Sequence, residues 1–185
     1  MGKKLSKKEF YDKYYNIVKD SVKGTGLFPE MVISQMAIES SWGSSDLATN
    51  YNNFFGMKGK GVNLATEEEK NGVKISQKSD FRTYSSIEDS IKDYIKVLKT
   101  EGGGKTYKKV FEAKTPEAQA EAMGNSPYAS STKYGQTIKN AIKQNKTYTM
   151  AKEDNYIKHK DQIQTGYKGD YEKDKEKLDF YEKST

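Results

Sequence analysis

Apolar residues recur at helical spacing through most of the first 150 positions. Phe10, Tyr14, Ile17, Val18 and Val22 form one stripe, the period of an amphipathic helix. Ser6-Lys-Lys-Glu9 ahead of it reads as a capping box, and Gly24 and Gly26 end it. Pro29 suits the first position of a second helix, which turns Val32, Ile33, Met36 and Ala37 inward and ends near Trp42-Gly43. Residues 50–64, rich in Asn, Gly and aromatic rings, read as loop. Short alternating runs at 60–66, 73–76 and 80–84, with Asn71-Gly72 as turn, predict a small β-hairpin or meander. Helical spacing returns with Ile87, Ile91, Tyr94, Ile95 and Leu98 behind Ser85-Ser-Ile-Glu88, and Gly102-Gly-Gly104 stops it. A short helix follows from Tyr107 to Phe111. Another runs from Thr115-Pro116 through Met123. After a turn to Tyr128, a last helix carries Tyr134, Ile138, Ala141 and Ile142. The pattern therefore predicts a mainly α fold of the α+β kind, a helical domain interrupted once by a small β insertion.

Composition narrows the chemistry. Only 34% of the 185 residues are hydrophobic and 31% are charged, but 14 Tyr and 7 Phe supply large rings for a core. Without Cys there are no disulfides, thiolate metal sites or Cys nucleophile. The one His, His159, lies close to the C-terminus, so no His-rich metal site and no cofactor are expected. No apolar run approaches the ~18 residues of a membrane span. The basic first residues have no apolar stretch behind them, so no secretory signal is visible.

The net charge of +6 is unevenly placed: residues 1–150 carry +7 and residues 151–185 carry −1. The last stretch mixes signs densely and has few aliphatics. It is expected to be a tail, helical in parts or disordered, behind a domain over 1–150. Arg82 is the only Arg, and the basic residues form no stripe. Nucleic acid is therefore not the expected partner. A Lys-rich surface still attracts polyanions.

Three groups of residues could carry chemistry. Glu39, in Ile38-Glu-Ser-Ser-Trp-Gly43, stands near the end of an apolar helix. Desolvation and the helix's negative pole both disfavour an anion there, which suits a general acid. Trp42, three residues on, would share its face as an apolar wall. The plainer alternative is a solvated helix-end Glu beside a core Trp. Glu67, Glu68 and Glu69 crowd the β insertion and could supply a second carboxylate, or simply form a solvated acidic loop. Asn52-Asn-Phe-Phe-Gly-Met-Lys58 and Ser126-Pro-Tyr-Ala129 place rings and amides at turns. They suit either sugar stacking and hydroxyl recognition or closure of a small core.

These residues resemble a known family. Residues 29–43, ending in Glu39-Ser-Ser-Trp-Gly43, are similar to the Glu-Ser-x-Trp-Gly helix of the bacterial glucosaminidases, glycoside hydrolase family 73. Tyr51-Asn-Asn-Phe-Phe-Gly-Met-Lys58 resembles their Asn-x-Phe-Gly-x-Lys loop. Asp80-Phe-Arg-Thr-Tyr-Ser-Ser86 is similar to their Phe-Arg-x-Tyr strand, and Ser126-Pro-Tyr128-Ala to their Gly-Tyr-Ala-Thr turn, with Tyr134 following. The order and spacing hold across residues 27–145.

The resemblance implies a lysozyme-like helical lobe with a small β-hairpin lobe flanking a cleft. It implies hydrolysis of the β-1,4 bond between N-acetylglucosamine and N-acetylmuramic acid in peptidoglycan, by a monomer acting outside the cell or at the wall. Muramidase or lytic transglycosylase action on the same scaffold, or glycan binding without cleavage, are the alternatives. Glu39 matches the family's acid. Glu68, in Thr66-Glu-Glu68, matches its second carboxylate, with Glu67 and Glu69 still eligible because Glu69 stands where members carry an aromatic. Tyr128 matches a catalytic Tyr, and Pro127 departs from the family's Gly. Trp42, Asn53, Phe55, Gly56 and Tyr134 are the expected substrate contacts. An inverting water, a covalent intermediate and attack by the substrate's acetamido oxygen all remain open as routes. Anionic teichoic acids are an expected attraction for the basic surface.

Overall fold

The computed structural model divides the chain into two compact units, Met1–Ile142 and Lys143–Thr185. It describes residues 5–70, 73–129 and 131–148, without the side chains of residues 66–75. In the second unit, residues 143–148 are helical. The expected tail over 151–185, with His159, lies outside the described residues.

The first unit is mainly helical with one antiparallel hairpin, as the pattern predicts. Helix α1 (Lys7–Val22) begins at the expected capping box. Ser6 Oγ accepts from the Glu9 N–H at 3.2 Å, and the Glu9 carboxylate accepts from the Ser6 N–H at 2.7 Å. Phe10, Tyr14, Val18 and Val22 are buried, and Tyr11 with them. Helix α2 (Pro29–Glu39) is buried on every face from Met31 through Ala37, including the polar Ser34 and Gln35. It is the central helix of the unit. Its entry is held from a distance. Gln119 accepts from the Phe28 N–H at 2.9 Å and donates to the Gly26 carbonyl at 2.7 Å.

Helix α2 ends at Glu39 rather than near Trp42-Gly43. Ser41, Trp42 and Gly43 all have left-handed φ, 51°, 58° and 73°. Non-glycine residues rarely adopt that region, and a set of bonds holds this turn. The Trp42 N–H donates to the Ala37 carbonyl at 2.7 Å. Ser40 Oγ donates to the Met36 carbonyl at 2.6 Å and accepts from the Gly43 N–H at 2.8 Å. A Cβ at Gly43 would stand 3.3 Å from the Phe10 ring. A short helix α3 (Asp46–Tyr51), not predicted from the apolar spacing, follows with Ser45 Oγ accepting from the Ala48 N–H.

Strands β1 (Lys58–Lys70) and β2 (Val73–Phe81) pair in a single hairpin rather than a meander of three runs. Lys70 pairs with Val73 near the tip. Lys58 and Val62 both face Phe81 across a bulge at the base. Helix α4 (Ile87–Thr100) is capped by Ser86 and buries Ile91, Tyr94, Ile95 and Leu98. Its exposed side carries Lys92, Lys96 and Lys99 at i, i+4, i+7, so one basic row does exist where none was expected.

After a 3₁₀ turn at Glu101–Gly104 come α5 (Lys108–Glu112), α6 (Pro116–Gly124), capped by Thr115, and α7 (residues 134–142). Helices α6 and α7 meet glycine to glycine: a Cβ on Gly124 would lie 2.6 Å from the Gly135 Cα. That close approach fixes the start of α7, and with it Tyr134.

Candidate active site

Glu39, the last residue of α2, is half-buried. Desolvation lifts its carboxyl above the ordinary range, and a hydrogen bond from Tyr134 pulls the other way. The negative pole of α2 further disfavours the anion. Tyr134, at the start of α7, donates its hydroxyl proton to Glu39 Oε1. Gln35 lies one helical turn before Glu39 on the same side of α2, and its Nε2 donates to the Tyr134 hydroxyl oxygen at 3.0 Å. Behind it, the buried Tyr94 of α4 donates to Gln35 Oε1. A polar chain therefore runs from α4 through α2 to α7 and ends on the carboxyl.

Tyr128, in the turn between α6 and α7, stacks on Tyr134 at 6.0 Å and meets Tyr94 edge-on at 6.2 Å. Its hydroxyl donates to the Phe55 carbonyl at 3.1 Å. Burial, followed by the proximity of Glu39, raises the phenols of Tyr94, Tyr128 and Tyr134 well above their ordinary range. They stay protonated and serve as neutral donors.

The structure redistributes several expected roles. Because α2 stops at Glu39, Trp42 does not follow it on a helical face. The Trp42 ring packs edge-on against Phe10 at 5.7 Å, with Lys7 Nζ 5.1 Å above it. The wall beside Glu39 is phenolic instead: Tyr94, Tyr128 and Tyr134. Phe55 is 2% exposed and stacks on Tyr94 at 4.1 Å, so its ring is core rather than a sugar platform. Asn53 is 1% exposed. Both its amide protons are donated, to the Met57 carbonyl at 3.0 Å and the Arg82 carbonyl at 2.8 Å, and its oxygen accepts from the Met57 N–H. It shapes the loop rather than greeting a ligand.

Gly56 is left-handed, with no atom within 4 Å of where a Cβ would stand. A ligand could approach its backbone closely. Register places Glu67, Glu68 and Glu69 opposite Ser76, Ile75 and Lys74; their side chains lie outside the described residues. Among the described residues, no group of three or more His, Asp and Glu could hold a metal.

Two features escaped the sequence. Gln35 and Tyr94 join the site through partners 59 and 99 residues away. The available hint was a Gln inside an otherwise apolar helix. The hairpin base is clamped by Arg82, whose Nη1 donates to Asp93 Oδ2 at 2.6 Å and whose Nε donates to the Lys58 carbonyl at 3.1 Å. The Tyr84 hydroxyl joins the same carboxylate at 2.7 Å.

A dehydrated Glu closing a buried helix, walled by phenols, on a helical body with one hairpin, defines a lysozyme-like glycoside hydrolase scaffold. Residues 15–147 match the model of the Glucosaminidase family, described as mannosyl-glycoprotein endo-beta-N-acetylglucosaminidase, and the chain belongs to that family. It is 34% identical over 147 residues to a probable N-acetylmuramidase of Lactococcus lactis subsp. cremoris, covering 75% of this chain and 34% of that protein. It is 36% identical over 118 residues to the exo-glucosaminidase LytG of Bacillus subtilis, covering 60% of this chain and 42% of that one. Among solved structures, the glycoside hydrolase domain of Salmonella typhimurium FlgJ superposes with a TM-score of 0.66 at 26% identity, over 85% of this chain and 99% of that one. The chain spans about a third of the length of the first two Lactococcus relatives, 34% and 29%.

Proposed function

We propose that the chain hydrolyses peptidoglycan as an endo-β-N-acetylglucosaminidase, cutting the β-1,4 bond between N-acetylglucosamine and N-acetylmuramic acid. The observation that carries this reading is the half-buried Glu39 carboxyl against Tyr134, its affinity for a proton raised by dehydration. Glu39 gives its proton to the bridging oxygen as the bond to C1 breaks. A hairpin carboxylate, Glu68 first among the three, offsets the positive charge that grows at C1. Water supplies the new hydroxyl, and the proton it releases passes to a carboxylate of the site and on to solvent, from which Glu39 is reprotonated. Tyr128 and the open backbone at Gly56 border the reacting sugar. The site of action is the wall, outside the membrane. Among the described residues no helix is long and apolar enough to cross one.

The names of the relatives differ on which bond is cut. A muramidase reading has the probable N-acetylmuramidase at 34% identity behind it. Digestion of purified peptidoglycan followed by mass analysis of the new ends decides. N-acetylglucosamine at the reducing end supports the proposal. N-acetylmuramic acid there replaces it with the muramidase reading, and an anhydro-muramic end with transglycosylation. Wall turnover by Glu39→Gln at the wild-type rate would remove Glu39 from the mechanism.

A further inference from the structure

The hydrogen-bond chain behind Glu39 has a direction. A primary amide is asymmetric: its oxygen only accepts and its nitrogen only donates. Gln35 Oε1 receives the Tyr94 proton, so Nε2 is the end turned to Tyr134. The Tyr134 oxygen is thus an acceptor on its Gln35 side. Its one proton goes to the remaining partner, Glu39 Oε1. Oε1 is then an acceptor in both protonation states of the carboxyl.

From this geometry we infer that Gln35, set by Tyr94, is a positioning residue that keeps the Tyr134 hydroxyl pointed at Glu39 Oε1, so that Oε2 is the atom that carries and delivers the catalytic proton. The inference rests on the reading of Glu39 as general acid. It adds the oxygen concerned and two residues, on α2 and α4, that act at a remove.

The chain is also suited to the state after transfer. Once Oε2 has lost its proton, the Tyr134 bond to Oε1 becomes charge-assisted and stronger. Donation from Gln35 into the Tyr134 oxygen polarises that O–H further. Dehydration therefore favours the protonated acid, and a donor is already in place for its anion, with no side chain needing to turn. Gln35 is 0% exposed, and no water-facing role competes for its amide. Among the described residues, the titratable groups that bear on Glu39 from the packed elements are the phenols of Tyr134 on α7, Tyr128 in the preceding turn and Tyr94 on α4. All three remain neutral, so among the described residues the carboxyl titrates against fixed dipoles.

Three variants test this: Tyr134→Phe, Gln35→Met and the double substitution. Each is followed by the pH dependence of peptidoglycan turnover and by ¹³C NMR titration of the labelled Glu39 carboxyl. The NMR titration reads the relay even in a variant without activity. Tyr134→Phe should move the Glu39 titration, and the basic limb of activity with it, to higher pH by about one unit. Gln35→Met should move both the same way by a smaller amount, lowering kcat with KM unchanged. The double variant should match Tyr134→Phe alone, because Gln35 acts only through Tyr134. Tyr94→Phe should reproduce Gln35→Met in weaker form.

A Gln35→Met protein whose carboxyl titrates as in wild type would overturn the inference. So would a double variant whose shifts add. Neither result would touch the assignment of Glu39 as acid. That assignment fails only if Glu39→Gln keeps its activity.

Discussion

The helical body and the hairpin differ in how far they exclude water. Glu39 closes a helix buried on every face, where dehydration raises its hold on a proton and the Tyr134 hydroxyl bond partly offsets that rise. The hairpin is two strands paired with each other. Before Phe81 none of its described residues is buried. Its base is tied down by Asn53 and by Arg82 on Asp93. The body therefore dehydrates the carboxyl it holds, whereas the described residues of the hairpin stay open to water. Dehydrating an acid needs a rigid apolar wall. A carboxylate that stays charged needs only access to water.

The sharpest way to break this comparison is to neutralise each carboxylate in turn. Glu39→Gln should lower kcat by roughly 10²–10⁴-fold, the range of a general acid, with the fold intact by circular dichroism. Glu68→Gln should cost somewhat less, while Glu67→Gln and Glu69→Gln stay within a few-fold of wild type. If Glu67→Gln or Glu69→Gln is the inactive member of the trio, the hairpin partner is reassigned. If all three remain active, the hairpin holds no catalytic carboxylate.

A smaller effect follows from the crossing of α6 and α7. Gly135→Ala inserts a methyl 2.9 Å from the Ala120 carbonyl oxygen and 3.3 Å from the Gly124 Cα. Overpacking of this kind costs about 1–3 kcal/mol, read as a fall in Tm. The same shift displaces Tyr134, so activity should fall further than stability accounts for. A variant with lowered Tm and wild-type kcat would mean that the crossing serves packing alone.

What could be read in advance divides along the same line. The capping box at Ser6, Pro29 opening α2, the cap of α4 and its stripe are signals between near neighbours. The first two stand as expected, the α4 cap falls on Ser86 within Ser85–Glu88, and the stripe buries Ile91, Tyr94, Ile95 and Leu98 but not Ile87. Glu39 was legible because desolvation and the helix pole follow from its place on α2. Of the phenolic wall, Tyr128 and Tyr134 are marked by the family resemblance alone, and Tyr94 by nothing in the sequence. Tyr134 reaches Glu39 across 95 residues and Tyr94 reaches Gln35 across 59, and no local spacing records such pairs. The left-handed Ser41 and Trp42 were equally hidden, because only Gly43 among the three advertises that backbone region. For Phe55 and Asn53 the residues alone leave sugar contact and core closure both open, and a core short of aliphatics draws them in.

The comparison also bears on stability against pH. Glu39 binds its proton more tightly folded than unfolded, so between its unfolded and folded pKa values the native state holds more protons. Stability then falls as pH rises through that window, and the deficit persists above it. Glu39→Gln, free of this cost, should melt above wild type at neutral pH. Its advantage should shrink as pH drops below the ordinary carboxylate range. A Tm difference that is flat from pH 4 to 7 would show that Glu39 is not strained by its setting.

The smallest effect concerns charge. Residues 58–81 carry five Lys against four acidic residues, so most of the +7 of residues 1–150 lies outside the hairpin. The exposed row Lys92, Lys96 and Lys99 on α4 concentrates part of it. If anionic wall polymers such as teichoic acids draw the enzyme, the helical body does the drawing, and ionic strength weakens it as the screening length shrinks from about 10 Å at 0.1 M salt. Sedimentation with teichoic-acid-bearing walls should show binding that declines as salt rises. Gln at all three α4 positions should flatten that decline, while Gln at Lys60 and Lys78 of the hairpin should leave it unchanged. Turnover of a short uncharged glycan, which lacks the polymer's phosphates, should be the same in every variant. Binding indifferent to salt in the wild type would confine the role of the basic face to solubility, and equal flattening by both sets would dissolve the distinction between body and hairpin.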